Sequence, residues 1–167
     1  MSLRIVTLVG NPQPSSRTAR VAEEVAAQIA ERAGAEVLPT IDLADYADRI
    51  FVFPEPEVDA LGDEVATADL VVVASPTYKA AYTGLLKAFL DRYGSGGLDG
   101  VIAIPILTIG SPAHALAVEH TLRPLLVELG ATVPSRGLAF PAASTEDRER
   151  IVADWLGTQW SRIGPLL

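Results

Sequence analysis

Strict alternation of short apolar runs with stretches of helical spacing constrains this chain more than any other feature. Residues 3–9, 35–41, 69–75, 101–109 and 132–140 read as strands, rich in Val, Ile and Leu and bounded by turn formers. Between and after them, 18–33, 58–68, 83–93, 113–129 and 144–160 carry apolar residues at helical spacing. In the first, Val21, Val25, Ile29 and Ala33 share one face, and Gly34 is a natural stop. The order β-α-β-α-β-α-β-α-β-α with short connections implies right-handed crossovers and one parallel sheet. The 49% hydrophobic content, mainly Ala, Val, Leu and Ile, suits a sheet covered by helices on both faces. Pro105 cannot donate a ladder hydrogen bond, so a bulge or an edge-like position is expected there. No repeat, low-complexity segment or boundary interrupts the 167 residues, and a single domain over 1–167 is expected.

Composition excludes several classes of function. Thirteen basic against twenty-one acidic residues give a net charge of −8, with no basic patch to hold a nucleic acid. Nine of the acids lie between Asp42 and Asp69 against Arg49 alone, which reads as a solvated surface segment. The absence of cysteine removes disulfides, thiol catalysis and thiolate-ligated clusters. Two histidines, His114 and His120, and no metal-loop spacing among the carboxylates leave no metal site to expect. The N-terminal apolar run is too short for a signal-peptide core, and no stretch approaches a membrane span, so a cytoplasmic location is expected.

In an open parallel sheet, ligands bind beyond the carboxyl ends of the strands. Three loops there carry chemistry. The first, G-N-P-Q-P-S-S-R-T at 10–18, opens a helix whose free N–H groups and dipole favour an anion. Asn11, Gln13, Ser16 and Thr18 add donors and Arg17 adds a cation. It matches neither a Walker loop nor G-x-G-x-x-G, and a flavin phosphate suits it better than a nucleoside triphosphate. The same cluster reads equally well as a plain helix cap. The second loop, S-P-T-Y-K-A-A-Y-T-G at 75–84, offers Tyr78 as a planar wall, the Lys79 ammonium and backbone donors. A flavin ring needs such a wall and such donors, because charge accumulates on its pyrimidine edge upon reduction. A tyrosine covering the core beside a solvated lysine would look the same. In the third loop, at 108–114, Gly110 permits close backbone approach, while His114 is more simply a capping or packing residue.

Together these loops resemble the NAD(P)H-dependent FMN reductases, above all those of two-component alkanesulfonate monooxygenase systems. Residues 10–18 are similar to that family's phosphate loop. The run S-P-T-Y-K-A-A-Y-T-G-L-L-K at 75–87 matches its second block almost residue for residue, and A-H-A-L-A-V at 113–118 matches its third. The likeness extends to about Gly137. It implies a flavodoxin-like α/β fold, a three-layer sandwich with a five-stranded parallel sheet in the order 2-1-3-4-5. It also implies that Asn11, Gln13, Ser16, Arg17 and Thr18 hold the FMN phosphate. Pro76, Thr77, Tyr78, Lys79, Gly110 and Ser111 would line the isoalloxazine. No catalytic acid or base is then required, because hydride passes directly from NADPH or NADH to the flavin.

Two positions depart from the family. Gln13 stands where arginine is common, which weakens the local positive charge and leaves the nucleotide preference open. His120 stands where reductases that supply free flavin carry an extra residue, often tyrosine, that produces a π-bulge at a subunit interface. An ordinary exposed helical histidine is the other reading. The expected function is NAD(P)H-dependent reduction of FMN in a homodimer or homotetramer, with a flavin-dependent monooxygenase as recipient. An FMN-retaining quinone or azo-type reductase, a flavodoxin-type electron carrier and a fold with a dead flavin site are the alternatives.

Overall fold

The computed structural model of the chain describes residues 2–167. Six parallel strands form one sheet: β1 (Arg4–Val9), β2 (Glu36–Val37), β3 (Ile41–Asp42), β4 (Leu70–Pro76), β5 (Ile102–Ile109) and β6 (Leu138–Pro141). The order is β2-β1-β4-β5-β6, with β3 also paired to β1. Successive residues of a strand face opposite sides, so β1, β4 and β5 each feed two cores. Val6, Leu8, Val71, Val73 and Leu107 pack on one side under α2 (Pro56–Ala66), α3 (Gly84–Leu90) and α4 (Arg123–Glu128). Ile5, Val72, Ala74, Ile104 and Ile106 pack on the other under α1 (Arg17–Ala33) and α5 (Arg148–Ile163). This is the three-layer flavodoxin-like arrangement.

Helix α1 shows how local signals and packing agree. Ser16 caps its start by accepting from the Ala19 N–H at 3.1 Å. Gly34 ends it in the left-handed region, at φ 66°. Val21, Ala22, Val25, Ala26 and Ile29 are wholly buried against the sheet. At roughly 1.5–3 kcal/mol for each fully buried large aliphatic side chain, that face outweighs the helix's own propensities.

Four expectations are corrected, and a proline bears on three of them. The strand expected over 35–41 is two short pieces, because its register against β1 slips by one residue around Pro39, from Ile5↔Val37 to Leu8↔Ile41. Counting the pieces together restores the order 2-1-3-4-5. Pro105 causes no bulge: β5 runs in unbroken register with β4, from Leu70↔Ile102 to Pro76↔Thr108, and lies inside the sheet. Its missing N–H falls in a gap on the β6 side. There the neighbouring chain touches β5 at Thr132 and pairs again only from Leu138. The strand expected over 132–140 is correspondingly only β6. Residues 133–137 are instead held from the side, as Arg123 donates to the Val133 and Ser135 carbonyls and Glu119 accepts the Gly137 N–H.

The helix expected over 113–129 is broken into a 3₁₀ turn (Pro112–His114), a π-turn (Val118–Leu122) and α4. Pro124 lacks the N–H that would reach back to the His120 carbonyl, and its ring would crowd that carbonyl in a continuous α-helix. The wider turn accommodates it. The Arg123 N–H reaches the Val118 carbonyl five residues back, and the Thr121 hydroxyl takes the Ala117 carbonyl at 2.7 Å. His120 lies inside the π-turn, exposed.

The acidic segment is anchored rather than merely solvated. Arg49 pairs with Glu55 and Glu57, and Arg92 pairs with Asp59 at 2.5 Å. Arg92 also donates to the Ile50 and Val52 carbonyls. Its guanidinium holds the Asp59 carboxyl below the usual carboxylate value. Among the described residues, no helix is long and apolar enough to cross a membrane, and no group of His, Asp or Glu could hold a metal.

Candidate functional site

The three loops named from the sequence follow β1, β4 and β5, which are neighbours in the sheet. Their carboxyl ends meet on one edge, and single hydrogen bonds join the loops pairwise. The Thr83 hydroxyl donates to the Gly10 carbonyl at 2.5 Å, joining the second loop to the first. The Thr77 N–H donates to the Thr108 carbonyl at 2.9 Å, joining the second to the third. The Thr18 and Thr108 hydroxyls meet at 2.9 Å, joining the first to the third. All three bonds lie at the strand ends, so the loops share one rigid base.

In the first loop the candidates divide into those that shape it and those that face outward. Asn11 is 8% exposed. Its side chain accepts the Gln13 N–H at 2.9 Å and donates to the Thr18 hydroxyl at 3.1 Å. The Thr18 side chain is therefore turned inward, 1% exposed, leaving its backbone N–H in the first turn of α1 without an intrahelical partner. Ser16 is buried as the cap, whereas Gln13 and Arg17 are exposed. A carboxylate also reaches this loop: Asp42 accepts the Ser15 N–H at 3.1 Å and so occupies one of its donors. What remains for an anion is the free N–H groups of the first turn, the Ser16 hydroxyl and the Arg17 guanidinium.

The second loop is a tight hairpin. Tyr78 and Ala81 exchange backbone hydrogen bonds at 2.9 and 3.2 Å across Lys79 and Ala80. Both turn residues have positive φ, 52° and 66°, which glycine or asparagine would adopt more easily. This strain projects an aromatic residue and an ammonium from the sheet edge: Tyr78 is 49% exposed and Lys79 is exposed. Pro76 and Thr77 are half-buried beneath them, and the Thr77 hydroxyl is buried without a partner. Ala80→Gly is expected to stabilise the fold by about 0.5–1 kcal/mol, the relieved strain exceeding the added chain entropy. Urea unfolding measures this; an unchanged or lower midpoint would show that the turn is not strained.

The third loop opens a cleft of about 470 Å³ lined by Arg17, Ile109 to Pro112, Ala115, the end of β6 and the two residues after it. Gly110 is exposed, and no protein atom lies within 4 Å of where its Cβ would stand. Nothing within the chain crowds that position. Half-buried Ser111 caps the 3₁₀ turn through the Ala113 N–H, and half-buried His114 ends that turn.

The donor set fits FMN. A helix N-terminus with one cation takes a dianionic monoester, an orphaned threonine hydroxyl and exposed backbone suit a polar ring edge, and an exposed tyrosine suits a planar ring. Thr83, Thr108 and Asp42 do not stand out in the sequence, although all three build the site. Thr83 and Thr108 fall within the second and third loops, but nothing local marks either as a link between loops.

Comparison with known proteins agrees. The model of the NADPH-dependent FMN reductase family matches residues 3–145. An FMN reductase (NADPH) of Escherichia coli is 35% identical over 132 residues, covering 77% of this chain and 68% of the relative. The NADH-dependent FMN reductase SfnE of Pseudomonas putida is 34% identical, covering 79% of this chain and 74% of the relative. Among solved structures, an apo NADH:FMN oxidoreductase superposes with a TM-score of 0.78 at 29% identity, covering 95% of this chain and 90% of the other. Matched over most of its length, this chain belongs to the NADPH-dependent FMN reductase family.

Proposed function

We propose that the protein catalyses the reduction of FMN by NADPH or NADH at the edge formed by the three loops. One observation carries the reading: a helix N-terminus with Arg17, the strained Tyr78–Ala81 hairpin and the Gly110 cleft converge on one edge of the sheet. Arg17, the Ser16 hydroxyl and the first-turn N–H groups of α1 neutralise the phosphate, while Asn11 and Thr18 keep that loop in shape. Gln13 stands exposed beside them. Pro76, Thr77, Tyr78 and Lys79 on one side, with Gly110 and Ser111 on the other, line the ring. The Lys79 ammonium offsets the negative charge that reduction places on that edge. Bound FMN would supply the two-electron acceptor for the nicotinamide hydride. The protein's part is alignment and exclusion of water, and it needs no side chain as acid or base.

A homodimer or homotetramer belongs to this reading. Leu116 is 64% and Val127 53% exposed on either side of the π-turn that holds His120, which supports an interface between copies there. Sedimentation velocity that finds a monomer alone would remove this part. Delivery of reduced flavin to a monooxygenase is the downstream role, supported by the resemblance of residues 10–18 and 75–87 and by the NADH-dependent FMN reductases among the relatives.

The test is oxidation of NADPH and of NADH by the purified protein, with and without added FMN. Oxidation that rises with FMN and saturates is expected, and nucleotide oxidation indifferent to FMN would overturn the proposal. Gly110→Val serves as a site-specific check. Stability within about 0.5 kcal/mol of the parent is expected, because its Cβ meets no protein atom. FMN affinity is expected to fall at least tenfold, read by quenching of flavin fluorescence; unchanged affinity would place the flavin elsewhere.

A further inference from the structure

We propose that Thr108 is a positioning residue that locks the phosphate loop and the ring-binding loops into one register. Through it the two ends of the flavin are bound cooperatively rather than independently. The inference rests on the flavin reading above and adds to it a residue that holds the two halves of the site together.

Thr108 is the penultimate residue of β5 and is 5% exposed. It bonds to both other loops and begins the third. Its hydroxyl meets Thr18 at 2.9 Å; Thr18 in turn receives the Asn11 amide, and Asn11 accepts the Gln13 N–H. A continuous line of hydrogen bonds therefore runs from the crown of the phosphate loop to the end of β5. The Thr108 carbonyl accepts the Thr77 N–H at 2.9 Å, one residue before Tyr78, and Gly110 follows two residues later. A displacement of the phosphate loop is thus passed through one buried side chain to the loops that line the ring. In a nearly dry setting such a bond has few competing partners, so the loops move together or the bond is lost.

Valine matches threonine in shape and strand preference, so Thr108→Val removes the bond and leaves the packing. The informative quantity is the preference for FMN over riboflavin, the ratio of the two dissociation constants, because riboflavin has the ring and lacks the phosphate. Where the loops are locked together, phosphate and ring are seated at once and the preference is large. In Thr108→Val the preference is expected to fall about fivefold, the value of one buried hydrogen bond spent on coupling. Thr108→Ser keeps the hydroxyl and is expected to restore it. Thr18→Val breaks the same bond from the other side together with the Asn11 bond, and is expected to lower the preference at least as much. Thr7→Val is the control: the Thr7 hydroxyl is buried in β1 without a partner and joins no loops, so the preference is expected to stay.

Both flavins weakening equally in Thr108→Val, with the preference intact, would overturn the inference and leave Thr108 a packing residue. An unchanged pair of affinities would overturn it as well. A parent protein without preference for FMN over riboflavin would overturn the phosphate-site reading itself, an outcome visible before any variant is made.

Discussion

Gly10→Ala is expected to destabilise the protein by about 3 kcal/mol and to weaken FMN binding at least tenfold. A Cβ on Gly10 would lie 2.4 Å from the Leu86 Cβ and 3.1 Å from its Cα. No rotamer of Leu86 moves those atoms, so either the end of β1 or the start of α3 must shift. Both are held. The Gly10 N–H donates to the Ala74 carbonyl at 2.8 Å, and the Gly10 carbonyl accepts the Thr83 hydroxyl. Any shift therefore strains the base on which the first two loops stand. Urea unfolding and flavin fluorescence measure the two effects. A stable Gly10→Ala protein with parental FMN affinity would show that the contact between β1 and α3 does not hold the site.

Thr83→Val is expected to have an effect of similar size through a different cause. Thr83 is 2% exposed, and its hydroxyl both caps α3 through the Leu86 N–H and satisfies the Gly10 carbonyl. Loss of the cap costs about 1 kcal/mol and a buried carbonyl left without a partner about 1–3 kcal/mol. The sum, about 3 kcal/mol, corresponds to a fall in Tm of roughly 6–12 °C for a chain of this length. Thr83→Ser keeps both bonds and is expected to stay within about 1 kcal/mol of the parent, losing only a methyl group. Calorimetry on the two variants decides it: a valine variant as stable as the parent, or a serine variant that loses as much as valine does, would show that the two hydroxyl bonds are not the cause.

The layered fold is legible because the inner strands β1, β4 and β5 are buried on both faces and so read as continuous apolar runs, as at 70–74. Local capping at Ser16 and Gly34 is legible for the same reason that it works: the partners are near in sequence. The three prolines were visible but their consequences were not. Pro39 lies where a strand slips register, Pro105 falls harmlessly in a pairing gap, and Pro124 sits beside a π-turn. Which outcome follows depends on whether a carbonyl or a neighbouring strand stands opposite the missing N–H, and that is a tertiary fact. The site divides along the same line. Exposed groups such as Arg17, Tyr78 and Lys79 sit in motifs that carry the family resemblance. Thr83 and Thr108 bond to residues 73 and 90 positions away, and no local pattern announces such partners. The strain at Lys79 and Ala80 was hidden too, because neither residue type advertises a positive φ.

The most direct test is an anaerobic mixture of the protein, FMN and one equivalent of NADPH, repeated with NADH. The account predicts that the oxidised-flavin absorbance disappears in step with the nicotinamide absorbance, at a rate proportional to protein, with at least one of the two nucleotides. It predicts further that Gly110→Val slows this loss without unfolding the protein. Flavin that stays oxidised with both nucleotides, in protein shown to be folded, would contradict it.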